Sequence, residues 1–214
     1  TCKAELQKQL GLTIDPHIAL FGVVSRFATQ KGLDLLAEAL PKVLDGMHVQ
    51  FAVLGSGDGG LESIFRDTAA KFPDKLGLHV GFNAGLAKLI QAGSDFFVMP
   101  SRAEPCGLTQ LYAMRYGTPP IVRATGGLID TVDQYIDGTG QGTGFKFADA
   151  TTLALTNTIG WATATYYDQP DEYRKLRRNG MARDFSWGAS AKSYVDAYRW
   201  AIAARQGEST TADA

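Results

Sequence analysis

Residues 100–117 read Pro-Ser-Arg-Ala-Glu-Pro-Cys-Gly-Leu-Thr-Gln-Leu-Tyr-Ala-Met-Arg-Tyr-Gly, and this stretch decides the fold. It follows a short apolar run, Phe96–Met99, that is typical of a buried strand, and it continues into a helical pattern. The chain must therefore turn from strand to helix near Pro105. Such a turn leaves the backbone N–H groups of residues 107–109 at the positive end of a helix dipole, where anions, and phosphate above all, bind.

Glu104 stands just before this turn and is predicted to project into the same crevice. Its carboxylate can accept hydrogen bonds from ligand hydroxyls. Donors for phosphate next to an acceptor for hydroxyls indicate a phosphorylated sugar or a nucleotide as ligand. A purely structural turn is the alternative, because most strand-to-helix turns in α/β domains bind nothing.

The composition describes an ordinary globular protein. Of its 214 residues, 45% are apolar and 20% charged, and the net charge is −1. This balance does not favour nucleic acid or an anionic membrane as a partner. Two cysteines, Cys2 and Cys106, form no disulfide framework, which fits a reducing compartment. With neither a membrane-spanning run nor a signal-peptide pattern in view, we expect a cytoplasmic protein.

Apolar runs alternate with helical patterns along the chain. Strands are predicted over residues 18–24, 49–54, 76–82, 96–99, 120–122 and 145–147, and helices over residues 3–10, 33–44, 61–72, 84–92, 108–115 and 128–132 and from about residue 150 onwards. This alternation predicts a Rossmann-like, doubly wound parallel sheet. We expect one domain over residues 1–214, with a core of about 15–150, C-terminal helices over about 150–205 and a disordered tail over 206–214.

Two short segments are predicted to line the same crevice. Gly55–Gly60 matches G-x-G-x-x-G, which is typical of a dinucleotide site, but it follows the second strand, so a tight turn is favoured over a NAD site. Arg26 and Lys31 follow the first strand and could neutralise a diphosphate from the side opposite the helix start. Two solvated surface charges are the alternative.

Cys106 could act as a nucleophile, because a helix N-terminus lowers the pKa of a thiol. That chemistry needs a base, and His17, His48 and His79 all lie at the beginnings of strands or within one. They also lack metal-ligand spacing, so no metal site is predicted. Phe82 could stack on a base at the end of the third strand, although an aromatic residue at that position is more often part of the core.

Together these stretches resemble the C-terminal domain of bacterial glycogen synthases and plant starch synthases, which are retaining glycosyltransferases of the GT-B architecture. The segments that carry the resemblance are residues 24–34, 54–58, 100–117 and 122–132. The family transfers glucose from ADP-glucose to the 4-hydroxyl at the non-reducing end of an α-1,4-glucan, in the cytoplasm or, in plants, in plastids. The resemblance implies neither a metal nor any other cofactor.

The resemblance also implies roles for particular residues. Arg26 and Lys31 would grip the diphosphate and stabilise the departing ADP, and Glu104 would accept from glucose hydroxyls. These three are the expected catalytic residues. The expected donor-binding residues are Ser25, Gly55, Phe82, Cys106, Gly107, Leu108 and Thr109.

Two departures from the wider GT-B pattern bear on function. Tyr112 stands where many GT-B transferases place a second Glu, which fits the glycogen and starch synthase branch. The family's N-terminal domain, with its Lys-x-Gly-Gly loop, has no counterpart that we recognise in these 214 residues, and Thr125–Leu128 only superficially resembles that loop. We expect the donor-binding half of the enzyme, with ADP-glucose, an α-1,4-glucan and the N-terminal domain as partners. A stand-alone nucleotide-sugar-binding or regulatory module is the alternative.

Overall fold

The structure, a computed structural model, describes residues 1–206. The strands are β1 (Ala19–Val24), β2 (Val49–Gly55), β3 (Leu76–Val80), β4 (Phe96–Met99), β5 (Pro120–Arg123) and β6 (Phe145–Phe147). The helices are α1 (Cys2–Gln9), α2 (Leu33–Gly46), α3 (Gly59–Lys71), α4 (Ala84–Gly93), α5 (Thr109–Arg115), α6 (Gly127–Thr131), α7 (Thr152–Asp168), α8 (Pro170–Ala182) and α9 (Trp187–Gln206). Among the described residues, no helix combines the length and the apolar character needed to cross a membrane.

The six strands form one parallel sheet in the order β3-β2-β1-β4-β5-β6. The prediction of a Rossmann-like, doubly wound sheet is therefore confirmed. Phe21 of β1 pairs in register with Phe51 of β2 on one side and with Phe96 of β4 on the other. The strand order reverses between β1 and β4, and ligands of such sheets bind in the crevice outside the carboxyl ends of the strands at that point.

Helices cover both faces of the sheet, because successive residues of a buried strand point to opposite sides. On one side the rings of Phe21, Phe51 and Phe96 stack, with centroids 5.0 and 5.1 Å apart, and α2, α3 and α7 pack over them. On the other side Leu20 and Phe97 pack against α1, α4, α5 and α6. A sheet buried on both faces leaves only its edges for ligands.

Two elements differ from their predicted form. The third strand ends at Val80 instead of Phe82, because Gly81 takes a positive φ of 137° and its N–H bonds back to Gly55. The helix α2 continues through Pro41 to Gly46, two residues past its predicted end. Pro41 lies on the exposed face of α2, so the buried side keeps its packing.

The C-terminal part was predicted to be helical, and α7, α8 and α9 confirm this. Residues Thr1–Ala182 form one compact unit, and a second begins at Arg183. Within the second unit, α9 buries none of its residues, and its tyrosines Tyr194 and Tyr198 are exposed. Gln206 is the last residue of α9, and the rest of the predicted disordered tail lies outside the described residues. The single domain over residues 1–214 stays a prediction.

Candidate functional site

A cavity of about 390 Å³ opens at the carboxyl ends of β1 and β4, where the strand order reverses. It is lined by Val24, Ser25, Arg26, Lys31, Val98, Met99, Pro100, Ser101, Glu104, Gly107, Leu108 and Thr109. All predicted site residues except Gly55, Phe82 and Cys106 line this cavity. Segments that are far apart in sequence therefore meet where the topology requires a ligand site.

An ion pair between Lys31 and Glu104 crosses this cavity. Lys31 Nζ lies 2.6 Å from Glu104 Oε2, and the two side chains are only 23% and 10% exposed. The Ser101 hydroxyl donates to the same carboxylate oxygen at 3.2 Å. Glu104 thus lies in the crevice, as predicted, and Lys31 reaches it carrying a charge that is already balanced.

Gly32 allows this close approach. It has a φ of +66°, and a Cβ built on it would lie 1.9 Å from the carbonyl oxygen of Pro100. Only glycine fits both the left-handed conformation and the contact. The short 3-10 turn Thr29–Lys31 is therefore held directly against the loop that follows β4.

Arg102 joins the same two loops, and sequence reasoning missed it. Its Nη1 lies 2.5 Å from Asp34 Oδ1 and 2.9 Å from the Thr29 carbonyl oxygen. Its own N–H donates to the Gln30 carbonyl at 2.9 Å. The signal available in the sequence was a cation directly after the strand, two residues before Glu104.

The start of α5 provides backbone donors at the cavity wall. The helix begins at Thr109, and Leu108 caps it without a side-chain hydrogen bond. Gly107 has a φ of +74°, which turns the chain into the helix. The Thr109 hydroxyl, which was predicted to bind a phosphate, donates to Met99 Sδ at 3.2 Å. It must therefore rotate before it can donate to a phosphate oxygen.

Cys106 is exposed and lines neither this cavity nor the adjoining one described below. His17, His48 and His79 are also absent from the lining of both cavities. Within residues 1–206 no group of three or more His, Cys, Asp or Glu side chains could hold a metal ion. The arrangement offers cations and backbone N–H groups, which suits anion binding.

A second cavity of about 260 Å³ adjoins the first, and Ser25 and Arg26 line both. Its lining also includes Gly55 and Phe82. Phe82 is 93% exposed, which excludes the alternative that it is part of the core. The reason is the early end of β3, after which Gly81 turns the ring out of the sheet. An elongated ligand can reach from the cations to this ring.

The glycine-rich turn Gly55–Gly60 is a structural turn. A Cβ on Gly55 would lie 1.9 Å from the Ser25 carbonyl oxygen, which explains the first glycine. Glu62 Oε1 accepts from Gly57 N at 3.0 Å, and Asp58 Oδ1 accepts from Leu61 N at 2.9 Å. Because carboxylates occupy these N–H groups, a pyrophosphate would meet negative charge there. The geometry favours the predicted turn over a NAD site.

Most of the side chains whose pKa departs from its ordinary value lie at the opposite, amino-terminal edge of the sheet. Burial raises the pKa of Asp95, although Lys3 Nζ lies 2.6 Å from its carboxylate. Burial likewise raises the pKa of Tyr173, whose hydroxyl donates to the Asp95 carbonyl at 3.0 Å. This cluster joins α1, α8 and the start of β4, and it is structural.

The parallel sheet has its crevice at the switch point of the strand order, and comparison with known proteins identifies the family to which this fold belongs. Residues 4–180 match the family Glycosyl transferases group 1, and the chain belongs to this family. It is 47% identical over 207 residues to glycogen synthase 1 of Geobacter metallireducens, covering 97% of this chain and 41% of that protein. It is 50% identical over 199 residues to the glycogen synthase of Aromatoleum aromaticum, covering 92% and 40%.

Solved structures give the same assignment. The catalytic domain of starch synthase IV from Arabidopsis thaliana, bound to ADP and acarbose, superposes with a TM-score of 0.83 at 35% identity, covering 94% of this chain and 42% of that one. Sucrose-phosphate synthase from Thermosynechococcus elongatus has a TM-score of 0.67 at 27% identity, covering 94% and 49%. The chain is thus a C-terminal GT-B domain, as the resemblance implied. It spans about two fifths of the length of the glycogen synthases it matches.

Proposed function

We propose that the chain is the donor-binding half of a retaining glucosyltransferase that moves glucose from ADP-glucose to the non-reducing end of an α-1,4-glucan. The observation that carries the proposal is the pair of joined cavities. One offers cations and backbone N–H groups, and the other offers an exposed aromatic ring. A nucleoside diphosphate sugar needs all of these along its length.

Arg26 and Lys31 bind the diphosphate from the β1 side in this proposal. Charge builds up on the leaving ADP as the bond to glucose breaks, and preorganised cations stabilise that charge more in the transition state than in the ground state. Lys31 is already held by Glu104, which fixes its ammonium group at the cavity wall. Glu104 in turn keeps a carboxylate oxygen for a glucose hydroxyl.

The start of α5 binds the sugar and the nearby phosphate. Gly107 and Leu108 line the cavity. In this proposal their N–H groups donate to the donor's oxygens. The Thr109 hydroxyl exchanges its weak Met99 Sδ acceptor for a phosphate oxygen. Cys106 contributes its backbone only, because its side chain is exposed outside both cavities. The proposal includes no metal ion or other cofactor.

The base stacks on Phe82. Base–aromatic stacking contributes on the order of 1–3 kcal/mol, and a ring that is 93% exposed before binding can give most of that. ADP as the nucleotide is supported by the starch synthase IV structure, which is bound to ADP.

The remaining part of the enzyme supplies the acceptor side. The glycogen synthases that match this chain are more than twice its length, so the glucan site and a second domain belong to the rest of such a polypeptide. The helix α9 buries none of its residues and exposes Trp187, Tyr198 and Trp200. We propose that the partner domain covers this helix, and that the chain alone binds the donor without transferring glucose.

Calorimetric titration of the chain with ADP, ADP-glucose, UDP-glucose and NAD tests the proposal. We expect ADP binding that Arg26→Ala weakens by about 10- to 150-fold, since a charged hydrogen bond contributes roughly 1.5–3 kcal/mol. The matched control Arg66→Ala removes an exposed arginine of α3 and should leave binding unchanged. The proposal for this chain would be refuted if NAD binds and its binding survives Arg26→Ala. It would also be refuted if none of the four ligands binds.

A further inference from the structure

The loop from Ser101 to Gly107, here called the donor loop, is held from behind through its carbonyl groups. The Arg123 guanidinium donates to the carbonyls of Ser101 and Arg102. Gly127 N donates to the carbonyls of Glu104 and Pro105, at 3.1 Å each. Gln110 Nε2 donates to the last pair, also at 3.1 Å each. The carbonyls held in this way are those of Ser101, Arg102, Glu104, Pro105, Cys106 and Gly107.

Gln110 is the side chain that holds the C-terminal end of the donor loop. It is fully buried in α5, and its Nε2 contacts the carbonyls of Cys106 and Gly107 and the hydroxyl oxygen of Thr131. Its Oε1 is also buried, yet it has no hydrogen-bond partner in the described part of the chain. Rotating the amide would place this oxygen against the two carbonyl oxygens, so the nitrogen must face the loop.

The unpartnered oxygen distinguishes a positioning role from a packing role. A buried acceptor without a partner lowers the stability of the folded state. A methionine or leucine would fill the same space without that cost, because neither carries a polar oxygen or nitrogen. The amide of Gln110 therefore serves the loop carbonyls, and the stability of the fold alone does not call for it.

The geometry of the peptide bond then connects Gln110 to the ligand. In a trans peptide the C=O and the following N–H point in opposite directions. Holding the Cys106 carbonyl from behind aims the Gly107 N–H forward, and holding the Gly107 carbonyl aims the Leu108 N–H forward. Both residues line the cavity at the start of α5. We propose that Gln110 is a positioning residue that aims these two N–H groups at the sugar of a nucleoside diphosphate sugar, an inference that rests on the proposed function.

Gly107 contributes to the same arrangement, because it leaves room for the Gln110 amide beside the loop. A Cβ built on it would lie 2.5 Å from Gln110 Oε1, and its φ of +74° is strained for any other residue. The missing side chain lets the glutamine amide lie flat against the loop. The loop conformation and the glutamine are thus matched to each other.

The test compares the affinities of two probes, ADP and ADP-glucose, for Gln110→Met and for the wild-type chain. Methionine matches glutamine in length and is unbranched, so we expect a folded variant. The ratio of the dissociation constant for ADP-glucose to that for ADP should rise about tenfold, which corresponds to about 1.4 kcal/mol, while the ADP constant changes less than about twofold. Gln110→Leu should repeat this result if methionine disturbs the core.

Thr131→Val is the matched control, because it removes the third acceptor of Gln110 Nε2 without freeing either loop carbonyl. Its affinity ratio should stay within about twofold of the wild-type value. An unchanged ratio in both Gln110 variants, or an equal rise in Thr131→Val, would overturn the inference.

A measurement without ligand separates this inference from the proposed function. Backbone ¹⁵N relaxation should give order parameters near 0.85 for Gly107 and Leu108 in the wild type and below about 0.6 in Gln110→Met. A wild-type chain that binds neither probe refutes the proposed function, and the relaxation data then decide the role of Gln110. A loop that stays equally rigid in the variant shows that Gln110 does not position it.

Discussion

Phe82→Ala tests the base-stacking half of the site without disturbing the fold. The ring is 93% exposed, so its removal should change the free energy of unfolding by no more than about 0.5 kcal/mol. Stacking of a base on an aromatic ring contributes roughly 1–3 kcal/mol, which corresponds to about 5- to 150-fold in affinity. We expect the dissociation constant for ADP to rise by that factor in calorimetric titration.

Two controls make this experiment specific. Phe82→Tyr keeps an aromatic face and should bind ADP within about twofold of the wild type. Inorganic diphosphate has no base, so its affinity should be equal in the wild type and in Phe82→Ala. The reasoning is refuted if Phe82→Ala binds ADP as tightly as the wild type, or if the affinities for ADP and diphosphate fall together.

Two further predictions concern stability and are checked by denaturation. Gly32→Ala forces a Cβ to within 1.9 Å of a backbone carbonyl oxygen at a φ of +66°, so the chain should lose at least about 1–3 kcal/mol of unfolding free energy. Gly46→Ala has no atom within 4 Å of its Cβ and should not destabilise the chain. If both substitutions cost the same, the close approach of the two loops is not what Gly32 provides.

For Asp95, burial raises the pKa above 3.8 in the folded chain, so the folded state binds this proton more tightly than the unfolded state does. The stability that Asp95 contributes is then fully present at low pH and is lost as the pH rises through the folded pKa. Urea titrations should show the wild type losing stability relative to Asp95→Asn as the pH rises above about 4. The opposite slope would mean that the ion pair with Lys3 outweighs the burial of the carboxylate.

The sequence was sufficient for those features that depend on local patterns. Continuous apolar runs predicted all six strands, and the step from Phe96–Met99 into residues 100–117 predicted the start of α5. The end of β3 was predicted two residues too late, because Gly81 and Phe82 extend the apolar pattern while the backbone of Gly81 has already turned.

Features that depend on contacts between distant segments could not be predicted. Arg102 bonds to Asp34, which lies 68 positions earlier in the chain, and Arg123 bonds to carbonyls of the donor loop more than 20 positions away. Gln110 is close in sequence to the carbonyls it holds. In the sequence, Gln110 nevertheless looks like any other polar residue of a helix, because nothing there shows that its side chain is buried.

The structure also separates the roles of Arg26 and Lys31, which the sequence treated as equivalent. Lys31 is paired with Glu104 at 2.6 Å, so its charge is already balanced when a ligand arrives. Arg26 is exposed and lines both cavities, and its side chain forms no ion pair within residues 1–206. The net charge of the three side chains is +1, and Arg26 supplies it. Its removal should therefore weaken diphosphate binding more than its exposure alone would indicate.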